Sequence, residues 1–228
     1  MRPAVAHPDR LLPACPKALV FDWDNTLIDS WGVIGRVFND TLVAFGKPAW
    51  SAAELRANVR HSLRDAFPVL FGADWKRARD HYYRVFGEIH LDMLKPLPGA
   101  AEMLRHFRAQ GMYMAIVSNK SGSYLRREVA HLGWENFFAA VAGAGDAARD
   151  KPAVDPLLLA LAPSGFAPGP DIWVIGDADV DMEMAHGAGC AAILAPGSCA
   201  AAMAARAAPD ARFTDFQELI ALAADSCR

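Results

Sequence analysis

Charge of one sign is not in excess in this 228-residue chain: 23 lysines and arginines stand against 26 aspartates and glutamates, a net −3. A general nucleic-acid binder needs a basic face, so the charge argues against that class. Cysteine is sparse. The four, Cys15, Cys190, Cys199 and Cys227, show no CxxC spacing, so neither a disulfide framework nor a zinc site is expected, and a reducing cytoplasm is the default setting. Long hydrophobic runs are missing too, since no window approaches the roughly 18 apolar residues of a membrane span. Residues 1–16 carry Pro3, Pro8, Pro13 and Pro16 and no unbroken apolar core. They read as a flexible tail, not a signal peptide. No internal repeat is present. With 53% hydrophobic and 21% charged residues, what remains is the composition of one large globular domain, or of a domain with an insert.

The most informative stretch is 17–30, KALVFDWDNTLIDS. Its short apolar run, Ala18-Leu19-Val20-Phe21, leads straight into Asp22, Asp24 and Thr26. The run suits a buried strand of a parallel sheet, although pattern alone also allows a buried helical piece. Ligands of open α/β sheets bind beyond the carboxyl ends of strands, where Asp22 and Asp24 would stand. Two carboxylates there can divide the work: one attacks an electrophile or holds a metal while the other moves protons. An acidic turn would account for the same residue types, so the reading depends on the polar groups carried by the rest of the chain.

Residues 31–94 look helical throughout. Val33-Ile34, Val37-Phe38 and Thr41-Leu42 recur at helical spacing, Ser51 with Glu54 is a capping-box pair, Ser62 starts a third helix, and Asp74 caps a long fourth running to Leu94. A turn-rich junction, Lys95-Pro96-Leu97-Pro98-Gly99, ends this block. Strands and helices then alternate: strands at 112–117, 137–141, 172–175, 191–194 and 212–214, and helices at 100–110, 123–132, from 150, 180–186 and 216–224. Such alternation predicts an α/β fold, a Rossmann-like parallel sheet with helices on both faces. The core is split into 17–30 and 96–228, with the helical block 31–95 inserted. The alanine-rich stretch 198–209 reads as a surface helix or loop.

Polar groups fall at the ends of these elements: Asp22, Asp24 and Thr26; Ser118 and Asn119; Lys151; and Asp177, Asp179 and Asp181. Strand tips of a parallel sheet share one edge, so the groups can converge. Clustered carboxylates repel one another unless a cation sits among them, and magnesium suits oxygen ligands beside a phosphate. Each signal alone has a plainer account, with Ser118 as a helix cap, Lys151 as a solvated charge and Asp177–Asp181 as favourable helix-start acids. Their order and placement together make the case.

In that order the residues resemble the motifs of the haloacid dehalogenase superfamily. Asp22-Trp23-Asp24-Asn25-Thr26 matches its first motif, Ser118-Asn119 its second, Lys151-Pro152 its third and Gly176-Asp177-Ala178-Asp179-Val180-Asp181 its fourth. The insert sits where phosphoglycolate-phosphatase-like members carry a helical cap. Asn25 replaces a commoner glycine, and Trp23 is bulky enough to crowd the pocket. The resemblance implies a Mg²⁺-dependent phosphatase acting on a small phosphorylated metabolite through an aspartyl-phosphate. Asp22 would be the nucleophile and Asp24 the general acid and base, and Lys151 would neutralise charge. Thr26, Ser118 and Asn119 would serve the substrate side, with Thr26 also steadying the Asp24 loop. Asp22, Asp177 and the Asp24 carbonyl would hold Mg²⁺, and Asp181 would support a metal-bound water or Lys151. Asp179 is left solvated. Arg60, His61 and Arg64 would form a solvated basic face or meet an anionic substrate tail. A sugar-phosphate mutase, a phosphonatase using Lys47 or Lys76, and a non-catalytic binding module are the alternatives. No nucleic-acid or membrane partner is expected, and the chain would be a monomer or homodimer.

Overall fold

A computed structural model describes residues 13–197 and 207–228. In chain order the elements are β1 (Ala18–Phe21), α1 (Trp31–Ala44), α2 (Ala52–Asn58), α3 (Leu63–Phe71), α4 (Trp75–Ile89), α5 (Ala100–Ala109), β2 (Tyr113–Ser121), α6 (Gly122–His131), β3 (Ala140–Ala144), α7 (Asp155–Leu161), β4 (Ile172–Gly176), α8 (Asp179–Gly187), β5 (Ala191–Leu194), β6 (Ala211–Arg212) and α9 (Phe216–Asp225). The strands form one sheet, ordered β3-β2-β1-β4-β5-β6, and every pairing is parallel.

Alternate side chains of a strand point to opposite faces, and here both faces are covered. Leu19 and Phe21 of β1 pack with α5, α6 and α9 on one side. Ala18 and Val20 pack with α7 and α8 on the other. Burial on both sides is why the strands read as continuous apolar runs. From β1 the chain builds outward through β2 and β3, then returns to place β4 on the opposite side of β1. The carboxyl ends of β1 and β4 therefore flank the point where the winding reverses, the place where such sheets open a crevice.

The helices α1–α4 have a third apolar core of their own, including Phe38, Phe67, Tyr82 and Phe86. The chain enters and leaves this block side by side: Asp29 N donates to Lys95 O at 2.8 Å and Leu97 N to Leu27 O at 2.9 Å. Ser51 and Glu54 form the expected capping box.

Several boundaries differ from expectation. β2 runs four residues past Val117 because Ser118–Ser121 stay in the sheet, with a register shift against β3. Residues Glu135–Phe137 form a 3-10 turn, so β3 starts later than its apolar run. α4 stops at Ile89. Asp150-Lys151-Pro152 does not open a helix. The chain turns there and α7 begins at Asp155, with Pro156 in its first turn.

The expectation of no disulfide is also corrected. Cys15 and Cys227, 212 residues apart, are bonded. The approach to β1 and the end of α9 meet in space, a proximity that no local cysteine spacing signals. Residues 13–16 are therefore anchored, and Trp173 Nε1 donates to Ala14 O at 2.8 Å. The expectations for residues 1–12 of the tail and 198–206 of the alanine-rich stretch lie outside the described residues. Among the described residues, no helix is long and apolar enough to cross a membrane.

Candidate active site

Asp22 continues the β1 ladder, its amide donating to Ile175 O at 2.8 Å, so its side chain leaves the sheet at the winding reversal. The fully buried Lys151 reaches the same point. Its Nζ donates to Asp22 Oδ1 at 2.7 Å, Asp181 Oδ1 at 2.6 Å and Val117 O at 2.9 Å, which uses all three ammonium hydrogens. Asp181 is packed tightly under Gly176. A β-carbon at position 176 would overlap the Asp181 carboxyl group, so only glycine lets the two approach. Asp181 Oδ2 accepts from Ala178 N at 3.1 Å. Carboxylate oxygens of Asp22, Asp177 and Asp181 lie within 4.8 Å of one another.

Burial and mutual repulsion set the protonation of this group. Burial, opposed by Lys151 and aided by Asp181 and Asp24, pushes the Asp22 carboxyl up to about 7. Burial, with Asp22 and Asp181 nearby, lifts Asp177 well above the usual carboxylate range. Burial works against the charge on Lys151, but Asp181 and Asp22 outweigh it and hold its pKa above the ordinary value.

A cavity of about 140 Å³ lies over these groups. Its floor includes Asp22, Asp24, Ser118, Asn119, Lys151 and Asp177, and the helical block supplies the facing wall. Ser118 is in β2 and does not cap a helix. Asn119 Nδ2 donates to Lys151 O at 3.2 Å and, across to the helical block, to Arg60 O at 3.0 Å. Thr26 is fully buried and its hydroxyl has no partner. It is not on the cavity wall, which leaves it packing the loop and withdraws it from substrate contact.

The unusual residues of the first loop also find places. Asn25 takes a left-handed conformation, φ 60°, which asparagine tolerates better than most residues, and its Oδ1 accepts from Ser30 N at 3.2 Å. Trp23 does not crowd the cavity. Its indole is buried in the sheet core against Trp134, with Nε1 donating to Glu128 Oε2 at 2.7 Å.

Two assignments in the basic cluster change. Arg60 pairs with Asp179 at 2.5 Å and Arg64 with Asp150 at 2.8 Å. Asp179 is therefore not simply solvated, and these arginines tie the helical block to the start of α8 and to the turn before α7. Sequence reasoning missed Lys120, Glu128 and Ser30. Lys120 Nζ donates to Asp24 Oδ1 at 2.7 Å and to Glu128 Oε2 at 2.5 Å, and Ser30 Oγ donates to Asp24 Oδ1 at 2.5 Å. The only sequence signal was the position of Lys120 directly after Ser118-Asn119.

A family description, haloacid dehalogenase-like hydrolase, matches residues 19–195. The chain belongs to the haloacid dehalogenase-like hydrolases. A phosphoglycolate phosphatase of Xylella fastidiosa is 30% identical over 80% of this chain and 81% of its own. The bifunctional riboflavin kinase/FMN phosphatase of Arabidopsis thaliana is 27% identical over 79% of this chain. The match spans only about half, 48%, of that longer protein. A haloacid dehalogenase-like hydrolase from Streptococcus pneumoniae superposes with a TM-score of 0.78, covering 91% of this chain and 98% of its own at 22% identity, which is a likeness of fold.

The donors fit a hard divalent cation. They are oxygen only, they carry more negative charge than the single Lys151 ammonium offsets, and they converge within one small volume. Both Asp181 oxygens already accept hydrogen bonds, from Lys151 and from the Ala178 amide, and Asp22 accepts from Lys151 through Oδ1, so Asp181 is the most heavily engaged of the three carboxylates.

Proposed function

We propose that this hydrolase is a Mg²⁺-dependent phosphatase that cleaves a small phosphomonoester through an aspartyl-phosphate on Asp22. The observation that carries the reading is Lys151, whose ammonium bridges Asp22 and Asp181 beneath the cavity. Asp22 attacks phosphorus while the ester oxygen leaves, and Asp24 gives that oxygen a proton. Asp24 then takes a proton from water as water displaces phosphate from Asp22. Lys151, Ser118 and the amides near Asn119 take up charge on the transferring group. Phosphoryl transfer is mostly positioning and charge stabilisation, so a preformed ammonium and carboxylate frame is what it needs. Asp22, Asp177 and the Asp24 carbonyl would hold Mg²⁺, which supplies further neutralisation of phosphate charge. Asp181 holds Lys151 in place.

The helical segment 31–95 acts as a cap on the core 17–30 and 96–228, excluding water and reading the leaving group. Phosphatase names among the relatives support the reaction class. A phosphonatase would need a cap lysine at the site, and neither Lys47 nor Lys76 lines the cavity. A cytoplasmic location belongs to the same reading, and the Cys15–Cys227 bond counts against it.

The test is phosphate release from p-nitrophenyl phosphate and a panel of phosphorylated metabolites. Release should require Mg²⁺, stop with EDTA and be abolished by Asp22→Asn. Activity surviving Asp22→Asn rejects the nucleophile, and no release from any ester by the folded protein supports the binding-module alternative.

A further inference from the structure

Behind the candidate acid–base residue lies a second buried polar group that none of the motifs includes. Glu128, on the inner face of α6, is 1% exposed and binds three partners from three parts of the chain. Its Oε2 accepts from Trp23 Nε1 at 2.7 Å and from Lys120 Nζ at 2.5 Å, and its Oε1 meets His90 Nδ1 at 2.9 Å. Trp23 belongs to the Asp24 loop, and His90 follows the last cap helix, α4. Lys120 then joins Glu128 to Asp24, with its ammonium 5.4 Å from the centre of the Phe86 ring.

The bonds to Asp24 are one-sided. Lys120 Nζ and Ser30 Oγ both donate to Oδ1. Among the described residues no hydrogen bond falls on Oδ2, and Asp24 lines the cavity. A carboxylate gripped by one oxygen cannot rotate freely, and its other oxygen keeps a fixed place. Holding a reacting group in the right geometry lowers the barrier, and a misplacement of about 1 Å can cost on the order of 100-fold.

We propose that Lys120 is a positioning residue that, anchored by Glu128 and through it by Trp23 and His90, fixes Asp24 so that Oδ2 is the proton-carrying atom. The proposal rests on the phosphatase reading. In the first transfer the Asp22–phosphorus bond forms, the phosphorus–ester oxygen bond breaks, and the proton on Oδ2 passes to the departing oxygen. In the second, a water proton passes to Oδ2 as the water oxygen bonds phosphorus and Asp22 is released. Lys120 neither gains nor loses a proton in either step. An ammonium in this position could instead bind the substrate phosphate, and the two roles make different predictions. Positioning of the acid matters most for a leaving group that needs a proton, whereas phosphate binding matters equally for all esters.

The experiment compares kcat/KM, which reports the first transfer, for p-nitrophenyl phosphate and glycerol phosphate. The nitrophenolate leaves readily as an anion and the alkoxide does not. Lys120→Met should lose on the order of 100-fold on glycerol phosphate, as for loss of general acid catalysis, and several-fold at most on the nitrophenyl ester. Glu128→Gln and Trp23→Phe, which leave Lys120 in place but loosen its anchor, should shift the same ratio less, and they carry the test if Lys120→Met does not fold. A uniform loss on both esters, or an unchanged ratio in all three variants, overturns the positioning role while leaving the phosphatase reading intact. A wild-type protein that cleaves neither ester overturns both.

Discussion

Arg60, at the end of a short cap helix, and Asp179, at the start of α8, meet at 2.5 Å across the edge of the cavity. The pair is partly buried, and the neighbouring Arg64–Asp150 contact and the Asn119 bond to Arg60 O lie beside it. Together they hold the helical block against the sheet. Partly exposed ion pairs contribute modestly, so a double-mutant cycle of Arg60→Ala and Asp179→Ala should give a coupling of about 1 kcal/mol. The readout is KM for p-nitrophenyl phosphate, which should rise several-fold in either single variant and little further in the double. Additive single effects would show that the contact does not act as a pair.

The buried charges of the site give opposite signs for two substitutions. Lys151→Met leaves Asp22 and Asp181 buried without their common partner, and loss of one member of a buried ionic group costs about 3–5 kcal/mol. Asp22→Asn removes one of the three crowded carboxylates. It should raise the melting temperature of the metal-free protein, by on the order of 1 kcal/mol of stability, while ending turnover. Thermal melts in EDTA check both. Destabilisation by Asp22→Asn would mean that its bond to Lys151 outweighs the repulsion.

Much of this site was legible because the sheet puts consecutive chemistry at one edge. The apolar run of β1 demanded burial on both faces, and a parallel strand so placed had to present Asp22 at its tip. The same logic locates Ser118 and Asp177, whereas Lys151 reaches that edge from a turn between β3 and α7. What escaped were relationships set by tertiary packing. Glu128 looks like any acid on an amphipathic helix, and only its burial against Trp23, His90 and Lys120 distinguishes it. The pairing of Cys15 with Cys227 required knowing that the approach to β1 and the end of α9 meet in space. The Lys151 turn misled because proline after a polar residue also starts helices.

Metal-free stability should fall as pH rises from about 4 to about 7. In the folded chain burial holds Asp22 near 7 and lifts Asp177 as well, whereas their ordinary value is 3.8. Between those limits the folded state keeps protons that the unfolded state has released, so the slope of unfolding free energy against pH is negative. Lys151, with its pKa raised, contributes fully below its ordinary 10.5 and does not shape this window. Metal ligands bind deprotonated, so the rise in melting temperature on adding Mg²⁺ should be larger above pH 7 than below it. An equal rise on both sides would remove the Asp22–Asp177 group as the ion's ligands.

The disulfide sits at the opposite edge of the molecule. Cys15 precedes β1 and Cys227 follows α9, so their bond lies beyond the amino end of β1, away from the cavity at its carboxyl end. A link across 212 residues restricts the unfolded chain strongly, by about 5 kcal/mol in the chain-entropy description. Both cysteines are exposed, so a thiol reductant can reach them. Reduction should lower the melting temperature by on the order of 10 °C and leave kcat unchanged at assay temperature. Cys15→Ser should reproduce the drop and abolish the response to reductant. Cys190, buried and unpaired, should react with a thiol reagent only after unfolding. If Cys15→Ser melts with the untreated wild type, the bond does not form in solution, and the objection it raises to a cytoplasmic location disappears with it.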